Sequence, residues 1–314
     1  MKATAERRKI LIIKLGYSET LIPEIGTNCS LGDVFRTTAV LHLFKEDQVT
    51  WLTDVAAVPL LQGNPYIHRI LPFELLSVLQ LEAERFDKVI NLEKVPGICA
   101  LVNRISAWSH FGFRFDQETG RAEAYEMAHE ALAVATHDDV KKLNEKCWME
   151  VLFEMLGAKW QGENFILGYR PKSTPQFDLG FNTHVGRLMP VKAWPKGHWQ
   201  ELESMADGAY SITHQQHLNN LTGYMEWINS CRMLITSDSL GLYLGVALGK
   251  KVLGLFGPSS DKEQSPHPNL RIIKPPLDRE CIPCLRKECD HPDPCMTAIT
   301  PAQVLAAIRE WGMD

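Results

Sequence analysis

Residues 234–259 read LITSDSLGLYLGVALGKKVLGLFGPS, and this stretch decides the fold class of the chain. After a short apolar strand, Asp238 and Ser239 supply two N-cap residues, and a run that is apolar on nearly every side follows. Gly249 stands where a C-cap glycine belongs, and in residues 251–256 the apolar residues after Lys251 run without alternation. The pattern predicts a strand, a buried helix and a second, parallel strand.

The ends of these two strands predict a binding site for a phosphorylated ligand. In open parallel sheets, ligands bind outside the carboxyl ends of the strands, where a helix N-terminus offers free N–H groups. We expect Ser239 and the Gly241 backbone to contact phosphate or sugar. Asp238 either contacts the ligand or is a plain N-cap. Gly257 begins a turn at the same edge, where glycine permits close backbone approach.

Length and composition favour a two-domain enzyme. The 314 residues exceed one usual core, so two domains of about 150 residues are expected. A net charge of −5 argues against a nucleic-acid-binding protein. No segment approaches ~18 uninterrupted apolar residues, so we expect a cytoplasmic protein with reduced cysteines, at most touching the inner face of the inner membrane.

The hydrophobic pattern predicts two α/β domains, residues 1–170 and 171–314, joined by a linker at 170–176. The predicted strands of the first domain are residues 9–14, 49–53, 89–92 and 105–108. Its predicted helices are residues 34–44, 75–85 and 96–103, with residues 122–157 largely helical. A capping box at Thr300 and Gln303 begins the last helix, residues 301–311, which we allow to pack back on the first domain.

Several motifs resemble glycosyltransferase family 9, the ADP-heptose:lipopolysaccharide heptosyltransferases. The motifs are KILIIKLG (9–16), SLGDVFRTTAVL (30–41), VTWLTD (49–54), LLQGNPYIHRILPF (60–73), KAWP (192–195), SDSLGLYLGVALGKKVLGLFGP (237–258) and the cysteines of 281–296. The resemblance implies a GT-B fold, in which two doubly wound, Rossmann-like domains face each other across a cleft. It also implies an N-terminal acceptor-side domain and a C-terminal nucleotide-sugar domain.

Two departures from the family limit what carries over. Residues 17–29 form an insertion at the end of the first strand, where it should line the cleft, so the identity of the acceptor does not carry over from the family. Tyr243 stands where many relatives have histidine, so the exact donor sugar does not carry over from the family either.

The resemblance gives Asp33 the role of general base, which inverting sugar transfer requires of a carboxylate. By pattern alone, Ser30 and Asp33 also form a capping sequence at a helix start. Lys192 is expected to neutralise the leaving diphosphate in a site without a catalytic metal ion. A lone lysine is usually solvated surface, and the resemblance of Lys192, Trp194 and Pro195 to the KxWP pattern of the family favours the functional role. His184 is a phosphate contact or an ordinary loop histidine.

The residues expected to bind the donor gather at the strand ends of the second domain. They are Asn182, Thr183, His184, Asp238, Ser239, Leu240, Gly241, Tyr243 and Gly257. Adenine as the base is implied only by the family.

Four cysteines within fifteen residues, Cys281, Cys284, Cys289 and Cys295, form a second constellation. Four soft ligands in a proline-rich loop predict a closed, structural zinc or iron site, a role the family also suggests. The alternative is four free thiols in a packed loop.

The leading hypothesis is an inverting glycosyltransferase that moves a heptose from a nucleotide diphosphate, ADP-heptose favoured, to a hydroxyl of a glycan, lipid-linked or protein acceptor such as lipopolysaccharide core. The alternatives are a nucleotide-sugar epimerase or hydrolase of the same fold, and a metal-stabilised nucleotide-sugar-binding protein without transferase activity. No residue identifies the acceptor.

Overall fold

A computed structural model describes residues 7–17, 28–187, 189–216 and 219–312. The chain divides into two compact units, Met1–Tyr169 (unit 1) and Arg170–Asp314 (unit 2). The division falls at the start of the predicted linker. Most of the insertion at 17–29 lies outside the described residues.

Unit 1 is built on a six-stranded sheet with the order β3-β2-β1-β4-β5-β6. All neighbours are parallel except β6, which runs antiparallel to β5. The central strand KILII is buried at four of its five positions, as an apolar run without alternation predicts. The strands are β1 (Lys9–Ile13), β2 (Gln48–Thr53), β3 (Ile67–Pro72), β4 (Arg85–Asn91), β5 (Ser106–Phe115) and β6 (Ala122–Ala124).

The helices of unit 1 correct two predictions. The segment expected as one helix is α-helical only over Leu31–Arg36 and continues as a 3-10 helix, Thr37–Phe44, whose first two threonine hydroxyls donate to carbonyls three residues back. The segment expected to be largely helical begins with β6, because Ala122–Ala124 pairs with the end of β5. The helices are α1 (Leu31–Arg36), α2 (Val58–Leu61), α3 (Leu75–Ala83), α4 (Pro96–Arg104), α5 (His129–Thr136), α6 (Asp138–Leu143) and α7 (Trp148–Met155).

Unit 2 contains a five-stranded parallel sheet with the order β11-β10-β9-β7-β8. The predicted strand–helix–strand unit is confirmed at its centre, where β9 and β10 pair from Met233 and Lys251 to Ser237 and Leu255. The strands are β7 (Phe177–Asn182), β8 (Ile212–His214), β9 (Cys231–Ser237), β10 (Lys251–Leu255) and β11 (Leu270–Ile273).

The helices of unit 2 follow the sequence signals closely. They are α8 (Lys196–Ala206), α9 (Leu221–Asn229), α10 (Leu240–Ala247) and α11 (Pro301–Trp311). The helix α10 is buried nearly all round, and Gly249 follows it with φ +71°. The capping box of Thr300 and Gln303 is formed, and α11 contributes Val304 and Ile308 to the core of unit 2. Among the described helices, none is long and apolar enough to span a membrane.

Candidate functional site

A cluster of charged side chains lies at the carboxyl edge of the unit 1 sheet. Lys14 directly follows β1, Glu93 follows the neighbouring strand β4, and Asp33 lies in the first turn of α1. Glu93 is fully buried, and Lys14 and Asp33 are 3% and 6% exposed. Parallel strands bring these residues to one edge although they lie far apart in sequence.

The carboxylate of Asp33 lies between two cations. Its Oδ2 contacts the Lys14 ammonium, and its Oδ1 lies 2.9 Å from Nη2 of Arg36, which also donates from Nε at 3.0 Å. The hydroxyl of Ser30 makes no capping hydrogen bond at the start of α1. The Ser30 cap is therefore not formed, whereas Asp33 does lie in the first turn of α1, where an acid favours the helix dipole. Its carboxylate is also engaged in ion pairs that favour its charged form.

Sequence reasoning named Asp33 but missed Lys14, Arg36 and Glu93. A signal was available for two of them, because Lys14 directly follows the buried strand β1 and Glu93 lies two residues after the end of the parallel strand β4. Such positions lie at the ligand-binding edge of an open sheet. Arg36 lies three residues after Asp33 on the same helix, which is a pairing distance.

Three further groups lie near this cluster: Tyr17, Cys29 and Asp54. The Tyr17 hydroxyl donates to the Asp54 carboxylate, and burial together with that bond raises the pKa of Tyr17. Burial also raises the pKa of the Cys29 thiol to about 12, with nearby carboxylates adding to the rise. At neutral pH the thiol is therefore protonated and a poor nucleophile.

Unit 2 places Lys192 and Asp238 in contact. The Lys192 ammonium donates to Oδ2 of Asp238 at 2.6 Å, and both side chains are largely buried. The Tyr243 hydroxyl donates to Oδ1 of Asp238 at 3.2 Å and accepts from Gln264 at 3.3 Å. Asp238 thus holds a lysine and a tyrosine beside the start of α10. Gln264 was not predicted from the sequence.

A buried hydrogen-bond network lies beneath the same helix start. The amide of Asn182, at the end of β7, donates to Thr236 Oγ1 at 2.7 Å and to Ser239 Oγ at 3.2 Å, and its carbonyl accepts from the Tyr224 hydroxyl at 2.8 Å. Asn182 is only 1% exposed. Its side chain therefore joins β7, β9 and α9 at the sheet edge, and it acts as a scaffold for Ser239.

Gly241 is required by close packing against this network. A Cβ atom at this position would lie 2.5 Å from Asn182 Nδ2 and 2.6 Å from the Tyr224 hydroxyl. We expect Gly241→Ala to lower the free energy of unfolding by about 1–3 kcal/mol, the usual cost of overpacking a buried site. Urea unfolding measures this change.

The matched control is Gly197→Ala, because Gly197 also lies in a helix and a Cβ there would meet no atom within 4 Å. Alanine has a higher helix propensity than glycine, so this control should leave the free energy of unfolding unchanged or raise it. Equal unfolding free energies for the two variants would contradict the packing argument.

The remaining residues predicted to contact the donor are not part of the hydrogen bonds described above for Asp238 and Asn182. Leu240 begins α10, and Thr183 and His184 follow β7. His184 is exposed, and its backbone N–H donates to the side chain of Gln215 at 2.7 Å. A Cβ at Gly257 would lie 2.7 Å from the Cys295 sulfur, so this position packs against the cysteine loop.

The four cysteines of the loop are free thiols. Cys281 and Cys289 are exposed, whereas Cys284 and Cys295 are partly buried. Burial raises the pKa of the Cys295 thiol to about 11, and the other three cysteines add to the rise. Within the described ranges, no three His, Cys, Asp or Glu side chains are placed to hold a metal ion. The loop has suitable donor atoms, but they are not gathered into a coordination shell, so the metal ion remains a prediction.

Comparison with known proteins confirms the resemblance inferred from the motifs. Residues 218–293 match the family described as glycosyltransferase family 9 (heptosyltransferase). An 81-residue stretch is 30% identical to lipooligosaccharide heptosyltransferase 2 of Campylobacter jejuni subsp. jejuni serotype O:6. That stretch covers 26% of this chain and 26% of the relative, so the sequence match spans about a quarter of each protein.

Solved structures of low sequence identity share the fold over nearly the whole chain. E. coli heptosyltransferase WaaC with ADP-2-deoxy-2-fluoro heptose is 15% identical, with a TM-score of 0.61 over 97% of this chain and 100% of that chain. The iron-containing dodecameric glycosyltransferase TibC of enterotoxigenic E. coli is 13% identical, with a TM-score of 0.55 over 97% and 76%. The predicted α/β fold of the GT-B class is confirmed.

Proposed function

We propose that this chain is an inverting glycosyltransferase that uses a nucleotide-diphosphate sugar. The observation that carries the proposal is where the family match lies. Residues 218–293 include the carboxyl end of β9 and the start of α10, with Asp238, Ser239 and Tyr243. This edge has the form expected of a phosphate site, namely a helix N-terminus at the carboxyl end of a parallel strand.

In the proposed reaction, an acceptor hydroxyl oxygen attacks the anomeric carbon of the donor sugar. The new carbon–oxygen bond forms as the bond from that carbon to the phosphate oxygen breaks, and the electron pair leaves with the nucleoside diphosphate. Asp33 takes the proton of the acceptor hydroxyl. Its pairing with Lys14 and Arg36 supports this role, because both cations favour the carboxylate form that a base needs.

Lys192 is proposed to stabilise the diphosphate as it leaves. An ammonium beside the start of α10 adds to the backbone N–H groups there, and together they offset the developing charge without a catalytic metal ion. In this proposal Asp238 keeps Lys192 oriented through the 2.6 Å ion pair, and Ser239 contacts the donor.

ADP-heptose is the proposed donor, since the WaaC structure was solved with a fluorinated ADP-heptose, and a lipopolysaccharide-core hydroxyl is the proposed acceptor. The cytoplasm is the proposed location. Tyr243, in place of the histidine of many relatives, is proposed to influence the choice of sugar, and its hydrogen bond to Asp238 supports this role.

A panel of ADP-, GDP- and UDP-sugars tests the proposal by thermal shift and by product analysis. If the chain is a transferase, sugars of one nucleotide class should raise its melting temperature, and a glycosylated product should form only when the acceptor is present. An altered sugar nucleotide, or free sugar, formed without acceptor would instead identify the epimerase or hydrolase alternative. Binding without any turnover would identify the binding-protein alternative.

A structural zinc or iron ion in the cysteine loop is a separate prediction. Four thiolates fill a tetrahedral shell, and site formation is coupled to folding. We expect about one ion per chain in protein purified without added metal, by analogy with other four-thiolate sites. Cys284→Ser should lower both the metal content and the melting temperature.

The control is Cys231→Ser, a buried cysteine outside the loop, which should leave the metal content unchanged. Purified protein that is free of metal yet fully stable would refute the prediction, as would a disulfide within the loop.

A further inference from the structure

We propose that Glu93 is a positioning residue that sets the base strength of Asp33 through a lysine shared by the two carboxylates, Lys14. The inference rests on the proposed function for the role of Asp33 as the base. It adds a second carboxylate and a cation to the reaction, neither of which need touch the substrate.

The shared lysine is placed between the two acids. Its ammonium contacts Oδ2 of Asp33 and lies 3.4 Å from Oε1 of Glu93. All three side chains are almost completely withdrawn from water. Interactions between charges are stronger in such surroundings than at the surface, so a change of charge at Glu93 is felt at Asp33.

The Glu93 carboxylate is fixed by the backbone. Its Oε1 accepts hydrogen bonds from the N–H groups of Leu15 and Gly16, each at 2.8 Å. The side chain of Asn91 adds a brace, accepting from the Glu93 N–H and donating to the Glu93 carbonyl, each at 3.0 Å. Glu93 therefore holds the segment after β1 and cannot turn away from Lys14 without breaking these bonds.

The helix that carries Asp33 is attached to the same segment. The Ser30 N–H donates to the Gly16 carbonyl at 2.8 Å. Gly16 has φ +83°, and a Cβ there would lie 2.8 Å from the Ser30 carbonyl oxygen. Only glycine allows this approach, so Glu93, Lys14 and the start of α1 form one scaffold.

The charges along this scaffold alternate: Glu93 negative, Lys14 positive, Asp33 negative and Arg36 positive. The negative charge of Glu93 partly neutralises Lys14. Lys14 and Arg36 therefore stabilise the ionised form of Asp33 less strongly than they would without Glu93. Without the Glu93 charge, Asp33 becomes a weaker base, because both cations then act on it alone. Cys29 lies close enough to Asp33 for their charges to interact, and Cys29 in turn interacts with Tyr17 and Asp54.

The test is a titration of the Asp33 side chain by ¹³C-carboxyl NMR, with the signal assigned by its loss in Asp33→Asn. The variants are Glu93→Gln, which keeps an oxygen to accept from Leu15 and Gly16, Lys14→Met, and the two combined. Lys14→Met should raise the pH at which Asp33 titrates, since a cation is lost and the Glu93 charge is no longer offset. Glu93→Gln alone should lower the pH at which Asp33 titrates by about 1 pH unit or more, and its effect should be smaller in the Lys14→Met background, where the shared cation is missing.

The control is Asp47→Asn, which removes another buried carboxylate of unit 1, paired with Arg8, and should leave the Asp33 titration unchanged. The inference is overturned if Glu93→Gln leaves the pH at which Asp33 titrates unchanged, or if it shifts that pH by the same amount with and without Lys14. Should Lys14→Met not fold, Glu93→Gln alone decides. It must lower the pH at which Asp33 titrates and move the acid limb of the pH–rate profile to lower pH. The absence of both shifts overturns the inference.

The NMR result is independent of turnover, so it separates the two proposals. A coupled titration in a protein that transfers no sugar would refute the proposed function and leave the coupling of Glu93 and Asp33 established. Transfer with an uncoupled titration would do the reverse.

Discussion

Asp33→Asn should slow sugar transfer by about 10²–10⁴-fold, the usual contribution of a general base, while the affinity for nucleoside diphosphate stays within a few-fold. Asparagine is nearly isosteric with aspartate but cannot take the acceptor proton. Donor binding is spared because the carboxylate acts on the acceptor. Initial rates at saturating donor and calorimetry with ADP measure the two quantities.

Loss of a buried charge also disturbs the neighbours of Asp33, since Lys14 and Arg36 lose a partner. Asp47→Asn controls for this effect, because Asp47 is a buried carboxylate that accepts two hydrogen bonds from Arg8, each at 2.8 Å. Normal transfer is expected from the control. Near-normal turnover by Asp33→Asn, or an equal loss of donor binding, would exclude Asp33 as the base.

The sequence was sufficient where one local pattern determines structure. The strand β1 and the helix α10 are apolar at almost every position, as elements buried on all sides require, and their lengths and flanking residues distinguish strand from helix. The capping box at Thr300 and Gln303 likewise fixes a helix start by residues three apart.

The sequence was insufficient where structure depends on distant partners. The carboxylate of Glu93 binds the N–H of Leu15, 78 positions earlier, and no local pattern links the two. The strand β6 exists because it pairs with the end of β5, although its sequence is compatible with a helix. The cysteine spacing predicts a metal site, yet spacing alone does not determine whether the thiols converge.

Lys192→Ala should weaken binding of ADP by about 10- to 100-fold and slow transfer at least as much. The reason is that a hydrogen bond between charged groups contributes roughly 1.5–3 kcal/mol, and the lysine charge meets the diphosphate both before and during its departure. Calorimetry with ADP and initial rates at low donor concentration test both parts. Lys274→Ala is the control, since Lys274 is a more exposed lysine of unit 2 that pairs with Asp261 at 2.7 Å.

Part of the loss in Lys192→Ala should come from Asp238, which is left without its cation and then repels the diphosphate. Adding Asp238→Asn removes that repulsion, so the double variant should bind ADP more tightly than Lys192→Ala alone. If ADP affinity is unchanged in Lys192→Ala, the lysine only neutralises Asp238, and the N–H groups at the start of α10 hold the phosphate. If the double variant binds no better than the single one, Asp238 does not face the diphosphate, and its function is confined to orienting Lys192 and Tyr243.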